Sequence, residues 1–264
     1  MAELRVAILQ NECRLGRPDC HFNQLESAAE ARAGSIDLLV CPELFMTGYN
    51  IPDRLPELAE PLGGPFMTKV SALAAKHGLA IAYGYPETTG EALYNAAAVI
   101  DRTGTVIANH RKMHHAPGFE RSRFATGNKM TYFEIGDIRA AVLICYDVEF
   151  PECVRAAALG GAHLIVVPTA LRERYAHVAT AMIPTRALEN GVFVAYANPV
   201  GGDGDFICNG LSCIVDPHGH DLARAGTGPE VIAAVVDSAE VERARSALPY
   251  LRDRRFDIRS LEIA

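Results

Sequence analysis

Glu43, Lys112 and Cys145 are the residues of this chain whose types and positions could do chemistry together. Cys145 closes the apolar run 138–144 and is followed by Tyr146-Asp147-Val148-Glu149-Phe150-Pro151-Glu152. A buried strand that stops at a cysteine and turns into a helix near a proline presents its thiol at a strand–helix junction. Backbone N–H groups of the turn then point toward the reacting atom. An isolated cysteine in such a place reads as core packing, but two further segments change that. Cys41-Pro42-Glu43 follows the apolar stretch 36–40. Pro42 cannot donate to a ladder, so the strand ends there and delivers Glu43 to its C-terminal edge. The strand pattern of 106–111 likewise ends in Lys112, before a loop. Three strand ends thus supply a base, a cation and a sulfur nucleophile.

Pro42-Glu43 after a strand, Arg111-Lys112-Met113-His114, and the segment from Cys145 to Glu152 occur in an order and at a spacing that resemble the nitrilase superfamily of carbon–nitrogen hydrolases. The resemblance runs over nearly the whole chain. It implies a Glu–Lys–Cys triad acting through a thioester. A free thiol titrates near ~8.5 and needs activation, which the resemblance assigns to Glu43 as general base. The oxyanion would rest on Lys112 and the backbone N–H of Tyr146. Glu120, seven residues before Gly127, matches the family's second glutamate, which orients the lysine and the substrate. Its bland alternative is a loop ion pair with Arg121 or Arg123, worth little when exposed. Tyr49 and Tyr146 are expected to line the pocket, and Thr169 and Ala170 match the segment whose backbone meets the substrate amide. Arg186, Glu189 and Asn190 read as structural, an ion pair and a helix stop.

Among the family's reactions the features lean toward an amidase releasing ammonia from small linear carboxamides. The chain is compact, Tyr146-Asp147 follows the cysteine, and there is no tryptophan. An N-carbamoyl hydrolase is the alternative, with Arg172 or Arg174 as the cation for a substrate carboxylate; a nitrilase on the same triad and a catalytically silent binding homologue are the others. No metal or cofactor is expected. His110 and His114 have the i, i+4 spacing of zinc helices, but position 111 is arginine and the segment reads as strand then loop. Gly201-Gly202-Asp203-Gly204 lacks a phosphate-binding pattern and reads as a surface loop.

The elements that must position these residues alternate between strands and helices. Strands are expected at 4–10, 36–41, 79–84, 94–100, 105–109, 138–144, 163–167, 192–197, 207–215 and 231–236. Helices are expected at about 20–32, 65–77, 150–159 and 175–189, with Gly78 and Gly191 as stops. The strands at 207–215 and 231–236 read as completing one sheet edge. This mixture argues for α/β, two mixed sheets between helix layers, and the family implies the same four-layer α-β-β-α sandwich. Residues 1–264 read as one domain, with 248–264 a C-terminal extension of the kind that contributes to dimer contacts in the family. The irregular stretches 47–64 and 113–130 each begin just after a triad residue and are the natural walls of a pocket. A hydrophobic content of 49%, a net charge of -7 and seven scattered cysteines fit a cytoplasmic enzyme with reduced thiols. They give no reason to expect a nucleic-acid or membrane partner. The expected partners are a small amide substrate and, from the family, a second copy of the chain in a homodimer or higher homo-oligomer.

Overall fold

Period-two alternation in the strands sorts this chain into layers. The computed structural model describes residues 3–203 and 206–255. One six-stranded sheet runs in the order β14-β1-β2-β3-β4-β5. Its strands are β1 (Glu3–Gln10), β2 (Leu38–Val40), β3 (Ala80–Thr88), β4 (Leu93–Ile100), β5 (Val106–Arg111) and β14 (Glu230–Asp237). The second runs β13-β12-β9-β8-β7-β6. It comprises β6 (Thr131–Ile135), β7 (Ile138–Val142), β8 (Leu164–Pro168), β9 (Phe193–Ala197), β12 (Cys213–Val215) and β13 (Asp221–Arg224). A ribbon of β10 (Val200–Asp203) and β11 (Phe206–Asn209) stands apart.

Val6, Ile8, Leu38 and Val40 point inward and pack against Ala140, Val142, Leu164 and Val166 of the other sheet. Their neighbours Ala7, Leu39 and Ile81 face outward, against α1 (Pro18–Arg32) and α3 (Pro65–His77). Ala141, Ile165 and Val194 do the same against α5 (Pro151–Leu159) and α6 (Ile183–Asn190). The result is a mixed α/β fold of four layers, α-β-β-α, because each strand has two apolar faces and each face needs a partner.

The three strand ends lie at one rim of the sandwich. After β2, Pro42-Glu43-Leu44 crosses directly over Gly84 of β3: the Gly84 N–H donates to Pro42 O at 3.1 Å and Met46 N–H to Gly84 O at 3.1 Å. A Cβ at Gly84 would run into the backbone of Pro42, Glu43 and Leu44. Gly84→Ala is therefore expected to lose about 1–3 kcal/mol in denaturant melts, with lower turnover because the crossing carries Glu43. Unchanged melts and unchanged turnover would show that the crossing has room to spare.

Several expectations are corrected. The single helix over 175–189 is a short turn (Glu173–Tyr175), a wide π turn (Val178–Met182) and then α6. Ile183 N–H bonds Val178 O, five residues back, and the following Pro184 has no N–H to continue a regular ladder. The strand over 207–215 is two strands, broken at Gly210 (φ 70°) and Leu211 (φ 59°). Its second half, β12, joins the second sheet whereas β14 pairs with β1 in the first, so the two do not complete one edge. Gly201-Gly202-Asp203 is strand rather than surface loop; Gly204 lies outside the described residues. The strands β6 and β13 were not anticipated. Of the C-terminal extension, α8 (Tyr250–Asp253) is seen, with Leu251 against the outer core of the second sheet; 256–264 lie outside the described residues.

Candidate active site

Lys112 is the centre of a buried cluster. It follows β5 directly; its N–H is held by Asn95 O and its carbonyl by Gly127 N–H, both at 2.8 Å. Its Nζ lies 2.7 Å from Glu43 Oε1 and 2.8 Å from Glu120 Oε1. Glu120 opens the short helix α4 (Glu120–Arg123), accepts from Ala116 N–H at 3.1 Å through Oε2 and accepts the Tyr49 hydroxyl through Oε1. The ion pair with Arg121 or Arg123 does not form: Arg121 donates to His115 O and Arg123 pairs with Asp53. Glu43 Oε1 also receives Asn95 Nδ2 at 2.7 Å, while its buried Oε2 has no hydrogen-bond partner.

Cys145 sits on a strained turn, with φ +46°, a region that L side chains rarely occupy. The backbone folds at once into a tight 3₁₀ turn, Cys145–Glu149, before α5. Two residues hold that turn. Asp147 Oδ2 accepts from Ile144 N–H at 3.1 Å, and Oδ1 accepts from His114 N–H at 2.7 Å, tying the Cys145 turn to the loop after Lys112. Arg186 donates to Val148 O at 3.0 Å and Glu149 O at 2.7 Å, besides pairing with Glu189 at 3.1 Å. The backbone of Ala170 lies near enough to the Cys145 sulfur to favour its thiolate. Thr169 is fully buried and its carbonyl accepts Glu43 N–H at 3.3 Å.

A family model of the carbon–nitrogen hydrolases matches residues 5–246. This chain is a carbon–nitrogen hydrolase. It is 40% identical over 258 residues to a "hydrolase in pqqF 5'region" of Pseudomonas protegens, covering 97% of this chain and 90% of that one. It is 32% identical over 254 residues to an (R)-stereoselective amidase of a Pseudomonas species, covering 96% and 92%. Among solved structures, a mutant of the Nesterenkonia AN1 amidase from the nitrilase superfamily superposes with a TM-score of 0.86 at 31% identity, covering 96% of this chain and 94% of that one. Another mutant of that amidase carries covalent addition of the acetamide moiety of fluoroacetamide at its active-site cysteine (TM-score 0.85, 32% identity, 96% and 94% covered).

In this carbon–nitrogen hydrolase the electrostatics follow from burial. Desolvation pushes the Glu43 carboxyl up to about 7, against the pull of the Lys112 ammonium and the Asn95 amide. Desolvation also opposes the charge on Lys112, but Glu43 and Glu120 outweigh it and hold the ammonium above the ordinary lysine range. Burial raises the Cys145 thiol well above its usual value, and Glu43 adds to it. The sulfur is therefore held as a neutral thiol. Asp147 behaves oppositely: burial disfavours its charge, yet the His110 ring 3.7 Å away and the hydrogen-bonded His114 at 3.0 Å hold it below the usual carboxylate range.

The sites expected from sequence are not equally placed. Glu43, Lys112, Glu120 and Cys145 come together, with Ala170 at the sulfur and Thr169 beneath Glu43. The hydroxyl of Tyr49 is engaged by Glu120 and its ring stacks on Phe206, 4.7 Å between centroids. Tyr146 lines a cleft of about 400 Å³ with His115, Phe124 and Phe150. The guanidinium of Arg172 lies over the rings of Tyr175 and Phe206, and that of Arg174 over Tyr175. His110 and His114 gather on Asp147. Among the described residues no group of three or more His, Cys, Asp or Glu is placed to hold a metal. Asn95 and the anchoring by Asp147 and Arg186 were missed. Asn95 had a readable signal, a lone amide amid the apolar residues of β4, where a buried polar group needs a partner.

Proposed function

We propose that this hydrolase is an amidase that cleaves small linear carboxamides to a carboxylic acid and ammonia, with Glu43, Lys112 and Cys145 as its catalytic triad. The observation that carries the reading is the asymmetry of Glu43. Oε1 is pinned by Lys112 and Asn95, while Oε2 is buried without a partner in a site where the charge of Glu43 bears on the ionisation of Cys145. A carboxylate poised near neutral pH beside a neutral thiol suits general-base work. Glu43 takes the thiol proton as sulfur attacks the amide carbon. The oxyanion rests on Lys112 and the N–H of Tyr146. Glu43 then passes the proton to the amide nitrogen, the carbon–nitrogen bond breaks and ammonia leaves a thioester on Cys145. Water, deprotonated by Glu43, adds to the thioester; the acid departs and the thiol is restored. Glu120 positions Lys112, and its link to Tyr49 fixes the loop that follows Glu43. The amidase names of the relatives support the bond type.

The test is ammonia release from primary amides, with nitriles and ureido acids as controls. Cys145→Ala is expected to lower amide turnover by at least about 10⁴-fold while the melting temperature stays within a few degrees of the parent. Retained turnover would remove Cys145 from its role, and silence of the parent on every amide would revive the binding homologue. We further propose a cytoplasmic homodimer as the working form. All seven cysteines are free, which fits a reducing compartment, and no helix of the described residues is long and apolar enough to cross a membrane. The dimer rests on the family resemblance and is checked by light scattering on the eluting protein.

A further inference from the structure

We propose that Asn95 is a positioning residue of the triad: its side-chain amide holds the Glu43 carboxyl in one orientation and leaves Oε2 as the oxygen that takes the thiol proton. The inference rests on the reading of Glu43 as the base and adds to it what orients that base.

Asn95 lies in β4, whose side chains alternate between faces. Ala97 and Val99 point between the sheets, Ala96 and Ala98 toward the helices. The same period puts Asn95 on the inner face, where it is fully buried. Its Nδ2 donates to Glu43 Oε1 at 2.7 Å, and its backbone O accepts Lys112 N–H at 2.8 Å. One residue thus holds both the base and the cation, the first through its side chain and the second through its backbone. Lys112 Nζ reaches the same Oε1 at 2.7 Å. The terminal torsion of a glutamate is soft, so a single donor leaves the carboxyl free to swing. A second donor, from another strand, stops that rotation.

An amide suits the place. It favours the charged form of Glu43 against the burial that opposes it, yet it carries no charge and does not titrate. A second cation there would hold the carboxylate ionised and weaken it as a base. Only the donor end is used: Oδ1 is buried with no partner among the described residues. The titratable groups around the Glu43 carboxyl are Lys112, which favours its charge, Glu120, which opposes it, and Tyr49, Cys145 and Cys208, whose protons burial retains. The Tyr49 hydroxyl goes to Glu120, which leaves Asn95 as the neutral donor to Glu43.

The test is ammonia release from propanamide, butanamide and pentanamide, the fastest of them carried across about pH 5–10. Asn95→Ala and Asn95→Ser remove the amide but keep the backbone bond to Lys112. Each is expected to lower kcat by about 10²-fold with KM within about threefold of the parent. Each should also move the acid limb of kcat/KM upward from about 7, by about one pH unit, because Glu43 loses a donor to its charged form. A merely structural amide would leave the limb where it is. A limb unmoved in the variants but abolished in Glu43→Gln would overturn the proposal and leave the amidase reading intact. Failure of both variants to fold would do the same, since the amide would then hold the sheets rather than the base. A limb that persists in Glu43→Gln would remove Glu43 as the base, and this inference with it. If the parent turned over none of the three amides, the amidase reading itself would fall.

Discussion

Lys112→Met is expected to destabilise this protein by about 3–5 kcal/mol as well as remove its turnover. The ammonium is fully buried with Glu43 and Glu120 at 2.7 and 2.8 Å, and neither carboxylate can reach water if it is taken away. Methionine fills much the same volume, so the loss is electrostatic rather than a cavity effect. It carries a pH signature. The folded Glu43 carboxyl stands at about 7, above its ordinary 4.5. A group raised in this way contributes stability that is fully present below 4.5 and is lost as the pH rises through about 7. Without Lys112 its pKa climbs further and the loss becomes steeper. The deficit of the variant against the parent should therefore be larger at pH 8 than at pH 5, read from urea midpoints at both. A deficit below about 1 kcal/mol, or one indifferent to pH, would show that charge pairing does not hold the cluster together.

Glu43→Gln should lower kcat/KM by about 10³–10⁴-fold and, more tellingly, remove a limb from the pH profile. In the parent, kcat/KM is expected to fall as the pH drops below about 7, because a protonated Glu43 can no longer take the thiol proton. Glutamine keeps the shape and can still accept from Lys112, but it neither gains nor loses a proton. Its residual activity should lack the acid limb, and both acylation and thioester hydrolysis should slow. A limb near 7 that persists in Glu43→Gln would belong to another group, with His114 and His115 at the cleft the first to examine. A normal acylation burst in that variant would show that something else is the base of the first half-reaction.

Local rules were enough for much of this. Helix α3 runs over Pro65–His77 as its periodicity predicted and stops at Gly78 with φ 64°, because a proline start and a left-handed stop are properties of single residues. Pro42 ended its strand for the same kind of reason. The Glu–Lys–Cys set was legible because each member closes an apolar run, and the family resemblance supplied their order and the layered class. The π turn before α6, the split of 207–215 and the separation of β12 from β14 were not legible, since backbone pairing between distant strands decides them.

The sequence thus carries, in its short-range pattern, which residues are available for the chemistry and which strand ends present them. Packing settled the rest. It made one oxygen of Glu43 a ligand of Lys112 and Asn95, 69 and 52 positions away, and left the other bare. It forced Cys145 to φ +46° and set Asp147 and Arg186 to hold it there. A carboxylate reads the same in any sequence; whether it becomes a base, a staple or an unpaired charge depends on how much water is excluded and which groups from distant strands are brought within hydrogen-bond reach.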